Sequence, residues 1–340
     1  MFDGETLSLD AQATVLACSS VGLPRDVAIR PYGPRGWAKV ATRLAARATG
    51  PGAMLGISRT ELAELLGDAV PDDLDRLGRL LSRGPQLGFE LDRLQSRGIW
   101  IRTLSDADYP TRLRAALGPD APPVLFGAGE PSLLGRGGVA IVGSRDVDER
   151  ATELTRALAA AIARSGSVVI SGGARGVDQV AMQAAFEAGG SAVGALPEGI
   201  EKRIRESATR AALADGSAVL ISPYHPSAGF SAGAAMARNK IVYGLSDLAV
   251  IISSANGSGG TWAGAVEALS AGWVPVLIRD DDDAPAGNRQ LIDRGGRPIR
   301  LETIHEIATA SDLLDLALPT QGRVAETPDP YEQQQLALTE

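Results

Sequence analysis

Three glycine-bearing loops, each directly after a short apolar run, carry the residues best suited to chemistry. The first is Gly143-Ser144-Arg145, which follows Val139–Val142. Glycine lets backbone N–H groups approach an anion, Ser144 can donate a hydroxyl, and the Arg145 guanidinium can grip phosphate oxygens in pairs near a helix N-terminus. The second, Ser171-Gly172-Gly173-Ala174-Arg175-Gly176-Val177-Asp178, puts three glycines and an arginine into one strand-to-helix turn. The third, Gly257-Ser258-Gly259-Gly260-Thr261, precedes a helix containing Trp262 and Glu267 and forms another anion cradle. In the helical stretch before Gly244-Leu245-Ser246, Arg238 and Lys240 supply charge, and Asn239 can donate to a phosphate or read a base edge. Tyr224, Phe230 and Trp262 offer rings on which bases could stack.

These loops are not the Gly-x-Gly-x-x-Gly dinucleotide fingerprint, and they lack the lysine of a P-loop, so nicotinamide and ATP-hydrolysis readings lose support. His225 and His305 have no evident nucleophile partner, and are read as a loop residue and a structural residue. The run Asp280 to Asp283 could suggest a divalent metal, but consecutive positions point in different directions, so it reads as a solvated loop. No catalytic constellation, metal or cofactor is expected. Cys18, the single cysteine, lies beside an apolar stretch and reads as a buried small hydrophobe.

The elements that must position these loops change character along the chain. Residues 1–95 read as a small helical N-terminal domain, with apolar helical spacing over 7–23, 37–48, 72–81 and 87–97. Ser58-Arg59-Thr60-Glu61 is a capping box ahead of Leu62, Leu65 and Leu66. Residues 98–101 read as a short strand, followed by a helix over 112–117 and a Pro122-Pro123 turn. From Val139 short apolar strands alternate with amphipathic helices, with strands expected at 139–142, 168–171, 192–196, 218–222, 248–252 and 274–278. That alternation predicts an α/β fold, a Rossmann-like, doubly wound, mostly parallel sheet within residues 96–315. Ligands of such sheets bind beyond the carboxyl ends of the strands, where the three loops fall. Residues 316–340 read as a polar, disordered tail.

The chain has 340 residues, a net charge of −8 and a pI near 5.0, with 44% hydrophobic and 22% charged residues. No apolar run of about 18 residues is present to span a bilayer, and no signal peptide is recognisable, so a cytoplasmic location is expected. An acidic total argues against a uniformly basic nucleic-acid binder. Residues 139–279, however, hold 12 Lys/Arg against 12 Asp/Glu, and the remaining 21 and 29 supply the whole excess. A local cationic groove can therefore stand against an acidic background.

Taken in order, these segments resemble the DNA-processing protein A family (DprA, also called Smf). The resemblance is carried by Ile141-Val142-Gly143-Ser144-Arg145, by the turn from Ser171 to Asp178, by Arg238-Asn239-Lys240-Ile241-Val242-Tyr243-Gly244-Leu245-Ser246, and by Gly257-Ser258 with Thr261. Upstream, Asp108-Tyr109-Pro110 and Pro122-Pro123-Val124-Leu125-Phe126 match the family's lead-in to its Rossmann-like domain. It implies a protein that binds single-stranded DNA without sequence preference, forms a homodimer and helps load a RecA-type recombinase, in natural transformation or recombination. It also implies that Arg145, Ser171, Gly172, Arg175, Arg238, Asn239 and Lys240 line a phosphate pocket; Gly143, Ser144, Ser258, Gly259, Gly260 and Thr261 join them from the loops. Gly173 and Met182 stand where the family usually has leucine and histidine, and the segment from Leu196 to Arg203 replaces a cysteine-glycine and tyrosine-proline segment. Lys202, Arg203 and Arg205 could substitute for lost charge. No C-terminal winged helix is expected.

Two other readings stay open. Gly259-Gly260-Thr261 with Glu267 faintly resembles a motif of nucleoside-monophosphate phosphoribohydrolases, although Glu267 lies six residues after Thr261 rather than three. A sensor that binds a nucleotide without turning it over, as in phage defence, is the other.

Overall fold

The computed structural model describes residues 6–24, 29–67, 74–307 and 309–318. In chain order the elements are helices α1 (Leu9–Cys18), α2 (Pro34–Ala45), α3 (Arg59–Leu66), α4 (Leu74–Leu81) and α5 (Gly84–Gln95), strand β1 (Trp100–Thr103), α6 (Thr111–Leu117) and β2 (Val124–Gly129). Then come β3 (Val139–Val142), α7 (Glu149–Arg164), β4 (Val168–Ser171), α8 (Val177–Glu187), β5 (Ser191–Ala195), α9 (Ser207–Ala214), β6 (Ala218–Ser222) and α10 (Ala232–Leu245). The chain closes with β7 (Leu248–Ile251), α11 (Gly259–Ala271), β8 (Val276–Arg279), α12 (Ala286–Ile292), β9 (Arg297–Ile299), α13 (Leu301–Glu306) and α14 (Ala310–Ala317).

Nine strands form one sheet in the order β1-β2-β6-β5-β4-β3-β7-β8-β9. Pairing is parallel from β6 through β9, and antiparallel where β1 meets β2 and β2 meets β6. The expected Rossmann-like α/β architecture is therefore present. Strands β2 and β9 were not anticipated: β2 follows two prolines and reads as a turn and lead-in, and three-residue β9 is too short to show a period.

The period-2 alternation of side chains sorts the parallel strands between two cores. Ala140, Ile170, Val193, Ile221, Ile251 and Ile278 face a layer that includes α6, α10, α11 and α12. Val139, Ile141, Val169, Ala192, Val250 and Leu277 face a layer with α7, α8 and α14. A third core joins the N-terminal helices to the antiparallel end of the sheet, where Ile101, Val124, Phe126 and Leu220 meet Val15, Trp37, Leu77 and Leu94. The Ser58–Glu61 capping box forms as expected. Cys18 packs against this core, and burial raises its thiol pKa well above the usual range.

The chain winds outward from β3 through β6, then returns to place β7 on the other side of β3. The switch point thus lies between β3 and β7, where their loops diverge and leave a crevice. Asp282 and Asp283 of the aspartate run are exposed, as expected of a solvated loop, and the Asp281 side chain departs from that state. Asp281 is nearly fully buried and holds the Nε of the fully buried Arg279 at 2.9 Å, and Asp283 Oδ1 lies 2.8 Å from Nη2. Arg279 ends β8 inside the fold, where these carboxylates offset the cost of burying its charge. Residues 319–340, which include most of the expected tail, lie outside the described residues, as does the His305 side chain.

Candidate functional site

A cavity of about 650 Å³ opens at the switch point. Its floor and walls come from the loop after β3 (Gly143, Ser144, Arg145), the start of α8 (Asp178), one face of α10 (Arg238, Asn239, Val242) and the loop entering α11 (Gly257 to Thr261). Of the residues expected at the site, Gly143, Ser144, Arg145, Arg238, Asn239, Ser258, Gly259, Gly260 and Thr261 line this one space. Phe230 and Met236, each about half exposed, and Trp262 add an apolar rim. Arg145 lies over the Phe230 ring, 5.4 Å from its centroid.

Two close approaches hold the loops together. Gly176, at φ +87°, leaves no room for a side chain: a Cβ would stand 2.3 Å from the Ser144 carbonyl oxygen. A Cβ at Gly172 would lie 1.5 Å from Arg238 Nη1 and 2.5 Å from Asp178 Oδ2. Only glycine at position 172 lets the Arg238 guanidinium lie flat against the β4 turn. Hydrogen bonds from Thr261 Oγ1 to the Gly143 carbonyl (2.9 Å), from Asn239 Nδ2 to the Gly260 carbonyl (2.8 Å) and from the Ser144 amide to Ser253 Oγ (3.0 Å) bind the third loop to α10 and to the first loop.

Arg238 is 5% exposed and its Nε has no hydrogen-bond acceptor. Burial pulls its pKa below the usual arginine range; Asp178 and Glu198 oppose that shift, and Arg145 adds to it. Burial also raises the Asp178 carboxyl, with Arg238 pulling it back. A buried cation with an unsatisfied donor beside a cavity is stabilised by an arriving anion. The first turn of α11 contributes in the same direction, because Ser258 makes no side-chain cap and the opening N–H groups of a helix lack intrahelical partners.

The other expected residues lie off the cavity wall. Ser171 is fully buried beneath it, donating its hydroxyl to the Ile141 carbonyl at 2.7 Å and so tying β4 to β3. Arg175 is exposed and paired with Asp146 at 2.6 Å, and Lys240 Nζ lies 3.6 Å from Glu267. Lys202 is exposed, while Arg203 is engaged with the Gly173 carbonyl, with Glu206 at 3.2 Å and with Glu198 at 3.9 Å. Asp178 and Glu198 were not singled out as site residues. Asp178 falls at the start of α8, close behind the glycines, and this position is the signal that could have found it.

Residues 100–311, well over half of the chain, match the family described as DNA recombination-mediator protein A. DNA processing protein DprA of Bacillus subtilis is 28% identical over 221 residues, which cover 63% of this chain and 73% of that protein. Protein Smf of Synechocystis is 29% identical over 177 residues, 50% of this chain and 43% of the relative, so the chain spans under half of that protein. In fold, the chain is similar to DNA processing protein A of Streptococcus pneumoniae, with a TM-score of 0.65, 18% identity and coverage of 92% and 98% of the two chains. It is also similar to DNA processing protein A of Helicobacter pylori, described for its single-stranded DNA binding mode, with a TM-score of 0.53, 24% identity and coverage of 65% and 99%. With the ordered loops and the match from residue 100 to 311 together, the chain belongs to the DNA recombination-mediator protein A family.

Proposed function

We propose that this protein binds single-stranded DNA without sequence preference, holding backbone phosphates in the crevice between β3 and β7. The observation that carries the reading is Arg238, buried, with an unsatisfied donor, on the wall of a cavity that also presents Arg145 and the uncapped start of α11. Phosphate contacts of this kind position a strand without reading its bases, and the Phe230 and Trp262 rings offer sequence-tolerant stacking surfaces. Arg175, exposed and held only by a surface pair with Asp146, can be recruited to a second phosphate, since such pairs are worth about 0–1 kcal/mol.

A binding role is preferred over a phosphoribohydrolase. Glu267, the acid that reading requires, pairs with Lys240 rather than lining the cavity, and Asp178 is the carboxylate that does line it. In keeping with its family, we further propose that the protein processes DNA, forms a homodimer in the cytoplasm and passes strands to a RecA-type recombinase. Among the described residues no helix is long and apolar enough to cross a membrane.

Fluorescence anisotropy with labelled oligo-dT at rising salt tests the central claim. Binding should weaken with salt, and Arg145→Ala should weaken it further while lowering the slope of log affinity against log salt by about 0.7 for one lost phosphate contact. Salt-insensitive binding, or base release from AMP in proportion to protein, overturns it.

A further inference from the structure

Among the described residues, the charged side chains that line the cavity at the switch point are Arg145, Asp178 and Arg238. Two of them meet at one glycine. A Cβ at Gly172 would stand 1.5 Å from Arg238 Nη1 and 2.5 Å from Asp178 Oδ2, so cation and carboxylate lie over the same turn, on one wall. Both are nearly fully buried. The Asp178 carboxylate is fixed there by its place in the first turn of α8 and by the Ala174 amide, 3.4 Å from Oδ2.

Charge on this wall therefore balances, Asp178 against Arg238. Two cations near the crevice are neutralised in the same way, Arg175 by Asp146 at 2.6 Å and Lys240 by Glu267 at 3.6 Å. Asn239 commits its side-chain amide to the Gly260 carbonyl at 2.8 Å. What the cavity keeps for a ligand is Arg145, exposed over the Phe230 ring, and the start of α11, worth about half a positive charge. A phosphodiester, with one negative charge, matches that remainder. A terminal phosphate carries close to two at about pH 8, because its second proton leaves near pH 6. Its extra charge would stand beside the Asp178 carboxylate, and an unpaired like charge is one way a site rejects a near-identical competitor.

Resting on the reading of the crevice as a phosphate site for single-stranded DNA, we infer that Asp178 is a specificity-determining residue: it restricts the crevice to the singly charged phosphodiesters inside a strand and turns away the doubly charged phosphates of strand ends and free nucleotides. A carboxylate on the wall of an anion site weakens every anion, and it weakens a dianion more than a monoanion. What it gives up in affinity it returns as selection. A strand is then engaged anywhere along its length, with no advantage to a 5′-phosphorylated end.

Thymidine 5′-monophosphate and its methyl ester share base and sugar and differ by one methyl and one charge. Both are titrated calorimetrically at about pH 8 into wild type and Asp178→Asn, so that the monophosphate is doubly charged. Labelled oligo-dT, with and without a 5′-phosphate, is followed by anisotropy, and melting temperatures are measured in parallel. Wild type should bind the methyl ester about three- to tenfold more tightly than the monophosphate, the effect of one charge at partly screened range. Asp178→Asn should erase or reverse that order, because loss of the carboxylate acts about twice as strongly on a doubly charged ligand. A 5′-phosphate should leave wild-type affinity for oligo-dT unchanged. Wild type that prefers the monophosphate overturns the inference, and this comparison needs no variant. An equal gain for both nucleotides in Asp178→Asn makes the carboxylate an unselective repeller, and loss of both with a lowered melting temperature makes it merely structural; either result also overturns it. If the two nucleotides follow the expected order but wild type fails to bind oligo-dT, the single-stranded DNA reading falls while the role of Asp178 stands. Oligo-dT binding with the monophosphate preferred keeps that reading and removes only this role. Failure of wild type to bind any of the ligands overturns both.

Discussion

The helical N-terminal layer and the crevice each bury an arginine to nearly the same degree, 6% exposure for Arg83 and 5% for Arg238, yet the two sites are finished differently. Arg83 is closed by backbone: Nε donates to the Leu80 carbonyl at 3.0 Å, Nη1 to Val21 at 2.6 Å, and Nη2 to Leu16 and to Ser19 at 3.3 Å. Leu16 and Ser19 belong to the end of α1, where the last carbonyls of a helix lack intrahelical donors and favour a cation. Burial alone lowers the Arg83 pKa to about 10, and those carbonyls satisfy the charge without a carboxylate. Arg238 has carboxylates nearby but an Nε with no acceptor, and it faces a cavity. Burial does not by itself mark an arginine as a ligand-binding residue; an unfinished set of hydrogen bonds beside open space does.

The largest consequence concerns Arg83. Replacing it with Met should lower unfolding free energy by about 3 kcal/mol, because several carbonyls lose a charged donor worth roughly 1.5–3 kcal/mol each before relaxation. Urea denaturation measures this, and oligo-dT affinity of the folded fraction should stay unchanged. Arg238→Met should do the reverse, weakening oligo-dT binding by about 10- to 100-fold, the loss of a charged hydrogen-bond donor. Its melting temperature should fall less than that of Arg83→Met, since the buried Asp178 carboxyl left without its cation can take up a proton. Equal losses of stability in both variants, with binding kept in both, would erase the distinction between the two arginines. Gly172→Ala gives an independent route, because its methyl collides with Nη1; it should reduce binding as Arg238→Met does.

A smaller effect is expected at the rim. Phe230→Ala should weaken oligo-dT binding by about 1–2 kcal/mol, in the range of one base stacked on one ring, and should leave pyrophosphate binding unchanged. Equal loss for both ligands would show that the ring acts only by placing Arg145, which lies over it.

Much of this was legible in the sequence, and the misses have definite causes. Strands β3 to β8 announce themselves as short apolar runs between helical patterns, and the three glycine loops had to fall at the carboxyl ends of the strands before them. The burial of Arg238 is also written in the chain, beyond the charge it supplies and the phosphate pocket that the resemblance implies. Arg238, Ile241, Val242 and Leu245 repeat at i, i+3, i+4 and i+7, so the arginine lies on the buried stripe of α10. The fate of Asp281 was not legible, because its partner Arg279 sits one position beyond the expected strand, and only the packed structure shows that the strand ends inside. Arg175, Lys202 and Arg203 were chosen for charge and position, and spacing cannot tell which basic side chains a fold assigns to neighbouring carboxylates and carbonyls.

The smallest effect separates the two arginines by their response to acid. Asp178 has a carboxyl pKa raised in the fold, chiefly by burial, so folding favours its protonated form. The stability this contributes is fully present below the unfolded value of about 3.9 and is lost as pH rises through the raised folded value. At neutral pH the carboxylate is held in the crevice at a cost that Arg238 partly offsets. Relative to Asp178→Asn, wild type should therefore gain stability as pH falls from neutral toward the unfolded value, a comparison that urea denaturation at matched ionic strength can make. In an Arg238→Met background the offset is removed, the carboxyl pKa climbs further, and the gain should begin at higher pH. In an Arg83→Met background it should stay where it is, because Arg83 is not among the groups that shift this carboxyl. A pH profile unmoved by Arg238→Met would mean that the two buried charges of the crevice are not coupled.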